Sequence, residues 1–156
     1  MHAHTHDTQE FFALLPAKGR LMALDVGTKT IGLALSDAER IIASPLTLIA
    51  RSKLNKDLAT LAELVATHQV AGLVVGYPVN MDGSEGPRCQ ATRQFARDLC
   101  AHLPLPCLLA DERLSTVAVS RMMTEEADLS RARRAELVDK LAATYLLQGV
   151  LDSRET

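Results

Sequence analysis

The stretch LMALDVGTKTIGLAL (residues 21–35) contains two apolar runs joined by a glycine-bearing turn. Its first run, residues 21–26, is apolar up to Asp25, which is typical of a strand buried on both faces. A second run covers residues 31–35, and a third β-like run, interrupted by Pro45, covers residues 41–49. Three runs at such close spacing predict antiparallel hairpins at the start of the fold.

Downstream of residue 50 the apolar period changes. Leu54, Leu58, Leu61 and Val65 recur at the spacing of one helix face. Two further strands are predicted at residues 70–75 and 105–110, and two helical stripes at residues 92–99 and 138–145. The order βββαβαβα indicates an α/β fold with a mixed, five-stranded β-sheet and helices packed on it. Ser115 is a candidate N-cap for an additional helix that begins at Thr116.

Bulk properties favour one globular domain. The chain has 156 residues and a hydrophobic fraction of 47%, which suits a single core. We expect a flexible tail at residues 1–18, whose alternating histidines could bind metal weakly, followed by one domain at residues 19–156. Neither a signal peptide nor a membrane-length apolar run is visible, so we expect a cytoplasmic protein without membrane contact.

Charge and cysteine content narrow the function classes. The formal net charge is −2, so nucleic-acid binding would require local basic groups or metal ions. The three cysteines have no zinc-ligand spacing, and we expect them to be reduced and partly buried.

Asp25 ends an apolar strand, where an ionised carboxylate without a partner would be costly to bury. We therefore expect it to ligate a metal, to accept strong hydrogen bonds or to lie at the open edge of the sheet, and a cap of the following turn is the plainer alternative. In that turn, the amides, the Thr28 hydroxyl and Lys29 could hold a phosphate. An ordinary glycine-rich turn explains the same pattern equally well.

A second acidic group, Asp111 and Glu112, follows the last predicted strand. Adjacent side chains on a strand point to opposite faces, so only one of the two is expected to join Asp25. The next residue, Arg113, is the basic residue that we expect to bind phosphate, since other arginines nearby alternate with acids. A solvated acidic loop is the alternative.

Asp139 is the third candidate. No residue three or four positions away in its predicted helix is a cation, so no intrahelical ion pair accounts for it. A surface aspartate is the plain alternative. Together, three such carboxylates would suit Mg²⁺ or Mn²⁺ and two-metal cleavage of a phosphodiester.

Four blocks of sequence resemble one known family. The blocks are LDVGTKTIGLALSD (residues 24–37), VGYPVNMDGS (residues 75–84), DERLSTV (residues 111–117) and VDKLAA (residues 138–143). In these blocks the chain is similar to the YqgF family, also called RuvX, of Holliday junction resolvases and pre-16S rRNA nucleases. Differences from the family pattern occur at Thr30, Tyr77, Ala118 and Ala135, and none removes a proposed ligand.

The resemblance implies an RNase H-like fold and a nuclease dependent on Mg²⁺ or Mn²⁺. It implies Asp25, Glu112 and Asp139 as the catalytic, metal-binding acids, and thereby favours Glu112 over Asp111. It also implies that Asn80, Asp82, Ser115 and Thr116 face the nucleic-acid cleft with Thr28, Lys29 and Arg113. Expected substrates are precursor 16S rRNA, in ribosome-assembly intermediates, or a branched DNA junction, bound by a monomer or homodimer.

Two other classes remain open at the level of sequence. An Asp-x-Gly-Thr turn after a first strand also occurs in actin-like ATPases and sugar kinases, but those need a second such domain. A non-catalytic nucleic-acid-binding module is the other alternative.

Overall fold

A computed structural model of the chain describes residues 4–80, 82–113 and 131–153, the side chains of residues 131–140 excepted. The strands are β1 (His4–Thr5), β2 (Arg20–Val26), β3 (Thr30–Ser36), β4 (Ala43–Ala50), β5 (Val70–Tyr77) and β6 (Cys107–Asp111). The helices are α1 (Thr8–Ala13), α2 (Leu54–His68), α3 (Pro87–His102) and α4 (Arg131–Ser153). The helix predicted from Ser115 and Thr116 lies outside the described residues.

All described strands form one sheet in the order β1-β6-β5-β2-β3-β4. β3 pairs antiparallel with both β2 and β4, whereas β5 pairs parallel with both β2 and β6. The predicted hairpins and mixed sheet are therefore confirmed. Because β2, β5 and β6 run in the same direction, their carboxyl ends meet at one edge of the sheet.

The predicted count of five strands is one too low, because the N-terminal segment adds a strand. His4 and Thr5 form a sixth strand, parallel to β6, and Asp7 then caps α1 by accepting from the amides of Gln9 and Glu10. Phe11 is fully buried. Phe12 and Leu15 pack against the same cluster, and these few apolar side chains stabilise the segment without a period that sequence analysis detects.

Strand alternation divides the core between the two faces of the sheet. On one face, Leu73, Val75 and Leu109 belong to the apolar cluster that includes α2 and α3. On the other face, Val74 and Leu108 belong to the cluster that includes α1 and α4. From Gly72 onward in β5, and throughout β6, the parity of a residue number therefore tells which pair of helices its side chain faces.

Two further sequence predictions can be compared with the structure. All three cysteines are unpaired and buried, as expected. Within the described residues, no helix combines the length and apolar character needed to cross a bilayer.

Candidate active site

Two carboxylates lie at the sheet edge where the parallel strands end. Asp25 is the sixth residue of β2, and Glu112 directly follows β6. The Glu112 amide donates to the Tyr77 carbonyl at 3.1 Å, which continues the pairing of β5 with β6 by one residue. The two acids nevertheless belong to strands that are not neighbours, because β5 lies between them.

The Glu112 side chain crosses β5 at Gly76 and is hydrogen-bonded to the Asp25 side chain. A Cβ atom at Gly76 would lie 3.0 Å from Cδ and 2.9 Å from Cγ of Glu112, closer than real Cβ atoms approach other atoms. Only glycine leaves room for this crossing. The sequence analysis did not assign Gly76 a role, although a glycine inside a β-branched run is the kind of signal that marks a close approach.

The Asp25–Glu112 pair is electrostatically unusual. Burial, together with the hydrogen bond to Asp25 and its charge, raises the pKa of Glu112 to about 8, while Arg88 acts in the opposite direction. Two carboxyl groups in contact cannot both ionise without a cation between or beside them, so one proton is retained near neutral pH. A divalent ion coordinated by oxygen would replace that proton, and the pair therefore fits Mg²⁺ or Mn²⁺.

Asp111 occupies the other face of the sheet. Its carboxylate accepts from the Arg113 amide at 2.9 Å, from Nε at 2.9 Å and from Nη2 at 2.6 Å. The Arg113 hydrogen bonds lower the pKa of Asp111 below its usual value. Of the two adjacent acids, the structure therefore brings Glu112, and not Asp111, to Asp25.

Asp139 lies in α4, but its side chain is outside the described residues. It stands one helical turn before Ala143, which is buried in the cluster on the Asp25 and Glu112 face. No group of three metal-binding side chains is found among the described residues. The complete acidic triad therefore stays a prediction.

The turn after Asp25 is exposed at Thr28 and Lys29. Arg51 fixes this turn from outside: its amide donates to the Lys29 carbonyl at 2.8 Å, and its guanidinium donates to the Gly27 carbonyl at 2.9 Å. Thr28 and Lys29 are thus exposed on a fixed turn that follows Asp25 in the sequence, and their contact with phosphate stays a prediction. Sequence analysis did not identify Arg51.

The loop from Pro78 to Gly86 forms one side of the site, and its polar groups are largely used within the loop. Asp82 accepts from the amide and the hydroxyl of Ser84 at 2.9 and 2.6 Å. Asn80 donates from its side chain to the same hydroxyl at 3.0 Å. The Ser84 hydrogen bonds lower the pKa of Asp82, which acts here as a loop-stabilising carboxylate. Its predicted contact with nucleic acid stays a prediction.

On the opposite face, Tyr77 links this loop to the sheet. Its hydroxyl is hydrogen-bonded to Glu85 and Arg93, and the Arg93 guanidinium also contacts the Glu85 carboxylate at 2.8 Å. The His6 ring packs edge-on against Tyr77 with 4.9 Å between centroids. These contacts satisfy the hydroxyl at a position where the family often has leucine.

A cleft opens next to the acidic pair, between this loop and the start of α3. Its polar lining consists of Asn80, Arg88, Glu112 and Arg113. Ser115 and Thr116 lie outside the described residues, so their predicted part in the cleft is not tested.

Solved structures share this architecture. The chain matches RuvC of T. thermophilus in complex with a Holliday junction substrate, with a TM-score of 0.55 and 15% identity, over 88% of this chain and 96% of that one. It also matches the Fowlpox virus resolvase bound to Holliday junction DNA, with a TM-score of 0.52 and 9% identity, over 88% and 99%. At such identities the likeness establishes the fold alone, which is RNase H-like, as predicted.

The fold places this chain in the RNase H-like class, and the paired carboxylates lie at the strand ends of that fold. Within that class, the chain belongs to the RuvX family, whose model, described as a Holliday junction resolvase, matches residues 19–153. A relative in Rhodobacter capsulatus is 61% identical over 92% of this chain and 89% of its own length, and one in Zymomonas mobilis is 57% identical over 92% and 86%. Both carry the name "Putative pre-16S rRNA nuclease". The predicted family and enzyme class are confirmed.

Proposed function

We propose that this protein is a divalent-metal-dependent endonuclease whose catalytic acids are Asp25, Glu112 and Asp139. The observation that carries the proposal is the contact between the Asp25 and Glu112 carboxyl groups at the edge where β2, β5 and β6 end. Position 139 supports it, because it stands one turn from a residue buried on the same face of the sheet. Three carboxylates around one point supply the oxygen ligands that Mg²⁺ and Mn²⁺ require.

Each group has a distinct part in the proposed reaction. Asp25, Glu112 and Asp139 would hold the metal, and Glu112 would give up its proton when the metal binds. The bound metal supplies an activated water and stabilises the leaving oxygen of the phosphodiester. Thr28 and Lys29 bind the nucleic-acid backbone from the adjacent turn, because a hydroxyl and an ammonium both donate to phosphate oxygens.

The preferred substrate is the 5′ region of precursor 16S rRNA. This assignment is supported by relatives more than half identical over most of the chain, whose names specify that RNA. The reaction would then take place in the cytoplasm, on ribosome-assembly intermediates.

A Holliday junction is the second candidate substrate. It is favoured by the description of the family model and by the RuvC and Fowlpox resolvase folds, both solved with junction DNA. Junction resolution requires two cuts, so this alternative also requires a homodimer. A non-catalytic binding module is the remaining alternative, and it predicts binding without cleavage.

The proposal is tested by cleavage of a precursor 16S rRNA fragment and of a four-way DNA junction with Mg²⁺, Mn²⁺ or Ca²⁺. Mg²⁺ and Mn²⁺ should support cleavage and Ca²⁺ should not. Asp25→Asn, Glu112→Gln and Asp139→Asn should each lose most activity, whereas Asp98→Asn, which removes an acid from α3, should retain it. Equal cleavage by the parent and Asp25→Asn would identify the activity as a contaminant.

The two candidate substrates are distinguished by depleting the protein in its source organism and then mapping the 5′ ends of 16S rRNA. Accumulated precursor with extended 5′ ends supports the ribosomal substrate. Normal 5′ ends would leave the DNA junction as the substrate to test.

A further inference from the structure

Two arginines line the cleft next to Glu112, and their surroundings differ. Arg113 is held by Asp111 through Nε at 2.9 Å and Nη2 at 2.6 Å. That ion pair neutralises its charge and occupies one edge of its guanidinium. A phosphate would have to compete with Asp111 for Arg113, so this arginine is a poor anchor for nucleic acid.

Arg88 has no such competitor. It is the second residue of α3 and is exposed, and among the residues that the structure describes its guanidinium has no hydrogen bond or salt bridge. It lies close enough to the acidic pair for its charge to act on Glu112. Its donors are therefore available to a ligand at the place where the reaction is proposed to occur.

The acidic pair makes a nearby cation necessary. A phosphodiester that approaches Asp25 and Glu112 is repelled by their negative charge. A guanidinium in the same cleft offsets part of that repulsion, and it can also hold the phosphate by two parallel hydrogen bonds. Apart from Glu112 itself, the cleft lining contains no carboxylate among the described residues. Among the described residues, Glu112 is thus the one carboxylate that a nucleic-acid backbone meets beside Arg88 in this cleft.

We propose that Arg88 binds a phosphate of the nucleic acid adjacent to the Asp25–Glu112 pair, in the cleft between the Pro78–Gly86 loop and the start of α3. This assignment rests on the proposed function for the nature of the ligand, a phosphodiester backbone. It transfers to Arg88 the role that sequence analysis gave to Arg113. The chemistry is shared by RNA and DNA, so both serve as probes.

The experiment measures binding as a function of salt. Fluorescence anisotropy would follow a labelled precursor 16S rRNA fragment and a labelled four-way DNA junction, with Asp25→Asn as the background so that no cleavage occurs. Adding Arg88→Ala should weaken binding about tenfold and reduce the slope of log affinity against log salt by about one. Arg88→Lys should keep that slope, because it keeps the charge.

Arg97→Ala is the matched control, since it removes an exposed arginine from the same helix outside the cleft. It should leave both affinity and slope close to those of the background. Parental slope and affinity in Arg88→Ala would overturn the proposal, and so would a loss in Arg113→Ala as large as that in Arg88→Ala. Equal slopes for Arg88→Ala and Arg97→Ala would also overturn it, because surface charge alone would then account for the effect.

The two probes identify the source of the phosphate, since the larger Arg88→Ala effect marks the nucleic acid that fits the cleft. Cleavage by the parent protein on the same probes tests the proposed function separately. Binding that depends on Arg88 without any metal-dependent cleavage would reject the nuclease and retain the phosphate site. If Arg88→Ala leaves the rate of cleavage at subsaturating substrate unchanged, the phosphate site at Arg88 is rejected and the nuclease is retained.

Discussion

Asp111 and Glu112 are neighbours in the chain, yet they have opposite surroundings. Asp111 faces α2 and α3 and is satisfied locally by Arg113, two residues away. Glu112 faces α1 and α4, crosses Gly76 and meets Asp25 from a strand two positions away in the sheet. The same functional group thus closes a turn at one position and joins a second carboxyl group at the next, because side chains alternate between the faces of a sheet.

The different roles of Asp111 and Glu112 are tested most directly by removing the charge of each residue in turn. Glu112→Gln should lower metal-dependent cleavage about 100-fold or more, because it removes a proposed ligand. Asp111→Asn should retain most of the parental rate, since the Asp111 carboxylate pairs with Arg113 on the other face of the sheet. Single-turnover cleavage rates check this, with circular dichroism to verify that both variants fold. Similar rates for the two variants would contradict the division of roles.

Gly76→Ala tests the crossing itself. The added methyl group overlaps the Glu112 side chain, so we expect cleavage to fall about tenfold or more and the free energy of unfolding to drop by about 1–3 kcal/mol. Gly149→Ala is the control, since a Cβ there meets nothing within 4 Å. That helical substitution should be neutral or stabilise by about 0.5–1 kcal/mol. Urea unfolding measures the change in stability, and cleavage rates measure the change in activity. A fully active Gly76→Ala would show that the position of Glu112 does not depend on the space left by Gly76.

The contributions of Glu112 and Asp111 to the free energy of unfolding should change with pH in opposite directions. The pKa of Glu112 is raised from 4.5 to about 8, so in metal-free protein its contribution is fully present below pH 4.5 and is lost as pH rises through about 8. The pKa of Asp111 is lowered from 3.8, so its contribution is present above pH 3.8 and is lost as pH falls through the lower value.

Urea unfolding of metal-free protein across this pH range would measure both effects. In Glu112→Gln, the fall in the free energy of unfolding between pH 4.5 and 8 should disappear, while the fall at acid pH should stay. In Asp111→Asn, the fall at acid pH should disappear, while the fall between pH 4.5 and 8 should stay. A parental profile in Glu112→Gln would show that burial and Asp25 do not hold its proton.

The last expected effect is that of the metal on stability. Mg²⁺ or Mn²⁺ at 100 times its dissociation constant should add about 2.7 kcal/mol to the free energy of unfolding, since the ion binds only the folded chain. Glu112→Gln should lose most of this gain, and Asp111→Asn should keep it. Thermal melts with and without metal provide the measurement; a gain that survives in Glu112→Gln would place the ion elsewhere.

Most of the fold follows from local sequence patterns. The apolar run before Asp25, the hairpins after it and the helical stripe from Leu54 to Val65 each carry a period that matches the observed element. The short strand at His4 and the burial of Phe11 were missed, because their stability comes from tertiary contacts rather than from a repeated pattern. The extent of α4, which begins at Arg131, was likewise wider than its apolar stripe indicated.

The candidate site was predictable in part. Strand alternation restricted the choice to Asp111 or Glu112, and family resemblance was needed to favour Glu112. The roles of Gly76 and Arg88 were not predictable, because each depends on which side chain lies across a neighbouring strand or helix. Arg113 was identifiable from the sequence as a basic residue, but only its distances to Asp111 show that its guanidinium is paired with that carboxylate.

The account depends on one cation shared by three carboxylates, and crystals grown with Mn²⁺ would test this most directly through the anomalous signal of the metal. The predicted result is an anomalous peak with carboxylate oxygens of Asp25, Glu112 and Asp139 at metal–ligand distances. A peak bound by Asp111 instead, or an Asp139 carboxylate remote from Asp25, would contradict it.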